Sequence, residues 1–280
     1  MKKNIFLSLI LLPAISIFIF SCCSCQQEVG PKIVPFTSSR NVLIEESTGV
    51  QCTNCPQGHA ISESLSDANP GRIEIVCIHT GSLAYPFNSQ HNDFRTTFGD
   101  AIDGYLGGFT AQPQGAIDQK IFPGETVYWL DKNKWAGYVT QELQLQTKVN
   151  LDITNTYDST TRVLTTKVHG KYLETFNAEN NLSVMLTESD IIDWQDNSQP
   201  APVHIDSFYH HNHVLRMMLT PFNGEVINPM DQKRAGDEFT RTYSYTIPAT
   251  WNANHCRVVA FLAETGTVKE VYNVVGKNVK

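Results

Sequence analysis

No block of five or more basic residues occurs in the 280-residue chain, and the formal net charge is −7. A nucleic-acid-binding surface needs clustered Lys and Arg, so that class is set aside. No internal repeat stands out, so the chain is not read as a repeat array. No second CxxC follows Cys52-Thr53-Asn54-Cys55, which leaves a structural zinc site short of ligands. Pro56 stands where a c-type haem attachment site needs His directly after the second cysteine. Asp190, Asp193 and Asp196 lack EF-hand spacing and read as a solvated loop. No Cys…Trp…Cys framework of a true immunoglobulin domain is present.

What is present begins with an export signal. Lys2 and Lys3 precede an apolar stretch from Ile5 to Phe20, too short and wrongly placed to be a main membrane span. Ile19-Phe20-Ser21-Cys22 resembles a bacterial lipobox, which implies a signal peptide over 1–21 and acylation of Cys22. The bulky Phe20 departs from the usual pattern; Cys23 or Cys25 are competing sites, and plain secretion with cleavage nearby is the alternative. Residues 22–36 lack periodicity and are expected to form a tether.

Apolar content is typical of a globular protein, and the length suffices for two ordinary domains. Asn41–Glu46 and Arg72–Thr80 read as buried strands, with a helix over Gln57–Ala68 between them, stopped by Asn69-Pro70-Gly71. Strand, helix and strand predict a right-handed βαβ unit. Phe94, Phe98, Ile102 and Tyr105 mark one helical face inside an insertion over 81–108. A short strand follows Pro113, and Trp135, Tyr138, Val139 and Leu143 predict another helix with Asp131 as a candidate cap. Beyond about residue 147 the period changes to alternation. Seven short runs, beginning with Val149, Leu151 and Ile153, predict a β-sandwich of immunoglobulin-like kind over 148–280.

Of the seven cysteines, Cys77 and Cys256 sit alone in apolar runs and read as small hydrophobes. Cys52 and Cys55 are the one tight pair in the folded region, in a compartment where disulfides persist. A cysteine near a helix start has its thiolate favoured by backbone N–H groups. Cys52 is therefore the candidate nucleophile and Cys55 the resolving thiol of a thiol–disulfide exchange. Pro56 favours the first helical position, which would leave Cys52 in the loop. Two alternatives stay open: a purely structural disulfide, and a zinc site built on Cys52, Cys55 and His59.

The order strand, CxxC, helix, strand, helix, proline-entered strand, helix resembles a thioredoxin-like fold over roughly Val42–Leu145. Glu45-Glu46-Ser47-Thr48-Gly49, Cys52 to Pro56, Gly58-His59 and Tyr209 to Arg216 further resemble the outer-membrane-protein-28-related family of exported lipoproteins. The resemblance implies an α/β thioredoxin-like domain over 37–147, followed by the all-β immunoglobulin-like sandwich, and a lipid-anchored outer-membrane address on the periplasmic or cell-surface side. It also implies that Pro113 takes the place of the fold's cis-proline beside the CxxC, although trans is the default for Gln112–Pro113. Glu46 falls where such folds keep a buried carboxylate, a candidate proton acceptor for Cys55, with Glu45 as its competitor.

The expected function is thiol–disulfide exchange on exported proteins, with their thiols or disulfides as partners, the membrane reached through the lipid, and no cofactor or metal. The rival is a surface adhesion or ligand-binding lipoprotein that uses the fold as scaffold. His204, His210, His211 and His213 crowd one region; His211 and His213 would share a strand face as half a metal site, against the simpler reading of a polar hairpin. His79 and the tryptophans Trp135, Trp194 and Trp251 read as packing residues.

Overall fold

A computed structural model describes residues 39–227 and 233–280. The expected signal peptide, the tether and Cys22 lie outside the described residues. The first segment runs β1 (Val42–Thr48), α1 (Cys55–Ala68), β2 (Ile73–His79), α2 (Thr97–Tyr105), β3 (Gln114–Ile117), β4 (Leu130–Asp131) and α3 (Trp135–Leu143). It continues as β5 (Val149–Asp158), β6 (Val163–Tyr172), β7 (Asn180–Glu188), β8 (Ile191–Asn197), β9 (His204–His211), β10 (Val214–Met218), β11 (Glu225–Ile227), β12 (Glu238–Thr246), β13 (Cys256–Glu264) and β14 (Val271–Asn278).

The local elements form for the reasons their sequences suggest. Every residue of β1 and β2 is buried, as continuous apolar runs in a parallel pair require. In α1, Pro56 occupies the first turn, where its missing N–H costs nothing. Thr96 caps α2 by accepting from the Gly99 N–H at 2.9 Å. Asp131 caps the 3₁₀ turn over 132–134 ahead of α3, by accepting from the Asn133 N–H, rather than α3 itself.

The expectation of an α/β thioredoxin-like domain followed by an immunoglobulin-like sandwich is overturned. The chain is mostly strand, and one nine-stranded sheet runs across residue 147 in the order β14-β13-β7-β10-β2-β1-β3-β4, with β11 on β7. The join is at β2. Its outer edge is taken by β10, where Val214 pairs with Cys77 and the Cys77 N–H donates to the His213 carbonyl at 2.8 Å. A parallel sheet edge left bare would expose a row of unpaired backbone groups, and the later strands cover it. The described residues accordingly form one compact unit.

Each face of this sheet carries its own layer. Three-stranded β12-β6-β5 stacks on β7, β13 and β14 over a core that includes Val149, Leu164, Val168, Val184, Leu186 and Val258. Helices α1 and α3 pack beside it over Ile44, Ile75, Trp135 and Val139. On the opposite face, Leu43 and Val76 join Met185, Leu215, Val259 and Phe261 in a core drawn from both halves of the chain. The remaining strands, β8 and β9, form a separate two-stranded hairpin.

Candidate functional site

β1 ends at Thr48 and the chain turns through Gly49 into the Cys52–Cys55 loop, where the Cys52 N–H donates to the Gly49 carbonyl at 3.0 Å. Gly49 has no room for a side chain, since a Cβ would lie 2.5 Å from the Leu83 backbone. Cys52 and Cys55 form a disulfide. Cys55 is the first residue of α1 and Cys52 lies in the loop before it.

The disulfide is sealed: Cys52 is 2% exposed and Cys55 0%. The β8–β9 hairpin is the roof. Gln195, fully buried, donates from Nε2 to the Gly49 and Cys52 carbonyls at 3.1 and 3.0 Å. The Asp196 N–H donates to the Val50 carbonyl and the Ser198 N–H to the Thr53 carbonyl, both at 2.8 Å. Ser198 Oγ reaches Asn54 Oδ1, and Asp193 holds His91 and Asn92 from the insertion. The hairpin thus binds the CxxC loop through the backbone carbonyls of Gly49, Val50, Cys52 and Thr53.

Glu46 and Glu45 point to opposite faces, as neighbouring strand residues must. Glu45 accepts from Gln119 Nε2 at 2.9 Å, and burial pushes its carboxyl up to about 7. Glu46 lies on the α1 face, fully buried, with Oε2 accepting from Ser62 Oγ at 3.1 Å and Oε1 without a hydrogen-bond partner. Burial raises its carboxyl to about 8, the Ser62 hydroxyl pulling the other way. Gly58 of α1 permits this approach: a Cβ there would stand 2.5 Å from Glu46 Oε1 and 2.9 Å from Pro113. The Gln112–Pro113 bond is cis, and the Gln112 amide donates to Ser47 Oγ and to the Thr48 and Thr80 carbonyls.

Behind the disulfide lies a polar chamber that the sequence pattern did not show. His59 bonds Thr48 Oγ1 through Nε2 at 2.9 Å and Tyr209 Oη through Nδ1 at 2.6 Å. Desolvation depresses its imidazole to about 3. Cys77 is a free buried thiol, pushed well above its ordinary value by burial. His79 and His211 are both buried without hydrogen-bond partners, packed on Phe94 with their rings 5.8 Å apart. A cavity of about 440 Å³ opens beside His59 and Cys77, lined also by Glu63, Tyr209 and His213.

Of the expected site residues, Cys52, Cys55, Glu46 and Pro113 therefore gather around the start of α1. The zinc alternative on Cys52, Cys55 and His59 does not match this state, because both sulfurs are spent on each other. His211 and His213 do not share a strand face, so the half metal site weighed against a polar hairpin is not formed. β9 ends at His211, and His213 has φ +55 in the turn before β10, with Nε2 3.3 Å from Glu63. His204 and His210 are exposed. Trp135 is core, whereas Trp194 is 36% exposed on the hairpin. Gln195 and Ser198 were not singled out beforehand, and no local pattern marks them: their partners lie more than 140 residues away.

A family model described as outer membrane protein Omp28 matches residues 101–280. The chain belongs to the Omp28 family. The outer-membrane address that the family resemblance implied stands with that membership, and no helix among the described residues is long and apolar enough to cross a membrane. The match begins after the disulfide, so family membership says nothing of the CxxC loop. Among solved structures, HBP35 of Porphyromonas gingivalis is similar in fold, with 17% identity over 86% of this chain and 76% of that one and a TM-score of 0.67. Protein AGR_C_4864 of Agrobacterium tumefaciens aligns over 87% of this chain and 96% of its own, at 10% identity and a TM-score of 0.52. A domain of the outer membrane lipoprotein Omp28 from Porphyromonas gingivalis covers 48% of this Omp28-family chain, with 22% identity, 89% of that chain aligned and a TM-score of 0.31. No curated protein matches the sequence.

Proposed function

We propose that this Omp28-family protein is a binding protein of the outer membrane, anchored through lipid on Cys22, which presents the β8–β9 hairpin to an apolar segment of another exported protein. The observation that carries this reading is the position of the hairpin. Its inner side clasps the Cys52–Cys55 loop, while its outer side holds Ile192, Ile205 and Phe208 at 53%, 45% and 77% exposure. Large apolar side chains held in water by a rigid base are what a partner buries. The disulfide acts as a staple that keeps the loop's carbonyls in place for the hairpin.

A second reading, thiol–disulfide exchange on exported proteins, is favoured by Glu46, a buried carboxylate with an unpartnered oxygen and a raised proton affinity. In the reduced protein the Cys52 thiolate would attack a partner disulfide, and Cys55 would displace it, giving its proton towards Glu46. Two electrons would pass to the partner and the 52–55 disulfide would re-form. This requires the hairpin to lift, because no peptide reaches a sulfur that is 2% exposed.

One assay separates the readings. Reduction of insulin disulfides by the full chain with a thiol reductant is expected to equal the reductant alone. Turnover that disappears in Cys52→Ser would overturn the binding reading and establish exchange. For the anchor, labelled fatty acid is expected to be incorporated by the wild type and lost in Cys22→Ala; label retained there would move the anchor to Cys23 or Cys25.

A further inference from the structure

We infer that Glu46, His59 and Cys77 form a zinc-binding site at the inner end of the cavity behind the disulfide. One donor atom from each residue lies within 4.8 Å of the other two, and Glu46 Oε1 is 3.7 Å from His59 Nε2. Tetrahedral zinc with N and O ligands at about 2.0–2.2 Å and sulfur at about 2.3 Å sets donors about 3.3–3.7 Å apart, so Glu46 and His59 already stand at that spacing and the thiol closes on them by about 1 Å at most. The three come from separate elements: β1, α1 and β2. Glu46 and Cys77 are cross-strand partners on one face of the parallel pair, so the sheet itself holds the carboxylate and the thiol side by side.

The surroundings point the same way. Glu46 Oε1 is buried with no hydrogen-bond partner, and a polar atom left so is costly unless something pairs with it. His59 already has the arrangement of a ligand: Tyr209 Oη occupies Nδ1, which leaves Nε2 facing Glu46, shared only with the Thr48 hydroxyl. Charge balances as well. Zinc with one thiolate, one carboxylate and one neutral imidazole has no net charge, which suits a buried site where each anion alone is disfavoured. His59 and Cys77 both line the cavity, so a fourth position is open to water from that side. The donor set of one sulfur, one nitrogen and one oxygen suits zinc better than calcium or magnesium, which take oxygen alone. The oxidised Cys52–Cys55 pair is not required.

The test uses the full chain with its disulfide intact, dialysed against chelator and titrated with zinc, then with cobalt as a spectroscopic probe. One equivalent of zinc is expected to bind, and cobalt is expected to give a thiolate-to-metal charge-transfer band. His59→Ala and Cys77→Ala should abolish both signals, Tyr209→Phe should weaken zinc by about 10- to 100-fold, and the double variant Cys52→Ala/Cys55→Ala should keep the site. Should Cys77→Ala fail to fold, Glu46→Gln, which preserves shape and the Ser62 contact, is expected to lose zinc binding. No uptake by the wild type, uptake unaffected by His59→Ala and Glu46→Gln, or a cobalt spectrum without the thiolate band would each overturn the assignment.

Discussion

Gly58 shows how narrowly the space beneath the disulfide is drawn. Its missing side chain lets α1 rest on Glu46 and Pro113, where a methyl group would sit 2.5 Å from the carboxylate and 2.9 Å from the proline ring. Gly58→Ala forces either the helix or Glu46 to move, so a loss of about 1–3 kcal/mol is expected in denaturant unfolding, with the fold retained. Glu46 illustrates a second point at this scale. The resemblance implied a buried carboxylate here with Glu45 as competitor; both are buried, and only Glu46 lies on the α1 face. Cys77, by contrast, read as a small apolar residue in an apolar run. Its neighbours Glu46 and His59 come from other elements, so no window of sequence around Cys77 could have shown them.

Among the elements, the β8–β9 hairpin decides what the cysteines can do. Gln195 supplies buried donors to two carbonyls of the CxxC loop. Gln195→Ala removes the second donor from both carbonyls, which keep the Cys52 and Cys55 N–H groups, and frees the hairpin's clasp at a cost of about 1 kcal/mol. Reduction of the disulfide by a small thiol is then expected to quicken several-fold, read by thiol release; an unchanged rate would mean that the hairpin is not the barrier. The same element carries a pH dependence. His211 faces Tyr209, Phe94 and His79, and burial depresses its imidazole to about 4. The ordinary value is about 6.5, so the unfolded or undocked chain binds the proton first. The stabilising contribution is complete above pH ~6.5 and is lost as pH falls through about 4. Hydrogen exchange across residues 191–211 should rise over that window, and His211→Gln should flatten the rise. β1, α1 and β2 were legible because each is a local pattern. A polar hairpin was legible near the histidines, but its two strands and its docking on the CxxC loop were not, because β8 and β9 alternate weakly and their exposed apolar residues break the pattern that identifies a half-buried strand.

For the whole molecule, the consequential feature is that one sheet uses strands from both sides of residue 147. Two ion-pair clusters are among the links that tie the halves. Arg257 donates to both Glu74 oxygens at 2.8 and 2.7 Å. Arg40, 2% exposed, is paired with Asp118, Glu142 and Glu270. Removing Arg40 leaves the buried Asp118 without its cation and Glu142 and Glu270 with Lys120 alone, so Arg40→Ala should cost about 3–5 kcal/mol. Urea unfolding followed by tryptophan fluorescence and by circular dichroism should give one shared transition in wild type and variant alike. Two separate transitions would restore the picture of independent domains.

Residue order alone determined the buried strands flanking a helix, the close pair of cysteines and the change to alternating strands near residue 147. These depend on neighbours within a few positions, where periodicity and turn chemistry act directly. Tertiary structure alone decided that β10 would close the edge of β2, that a distant hairpin would seal the disulfide, and that Cys77 would meet Glu46 and His59. Such contacts join residues far apart in the chain, and they are selected by which faces and edges must be covered when the whole sheet packs.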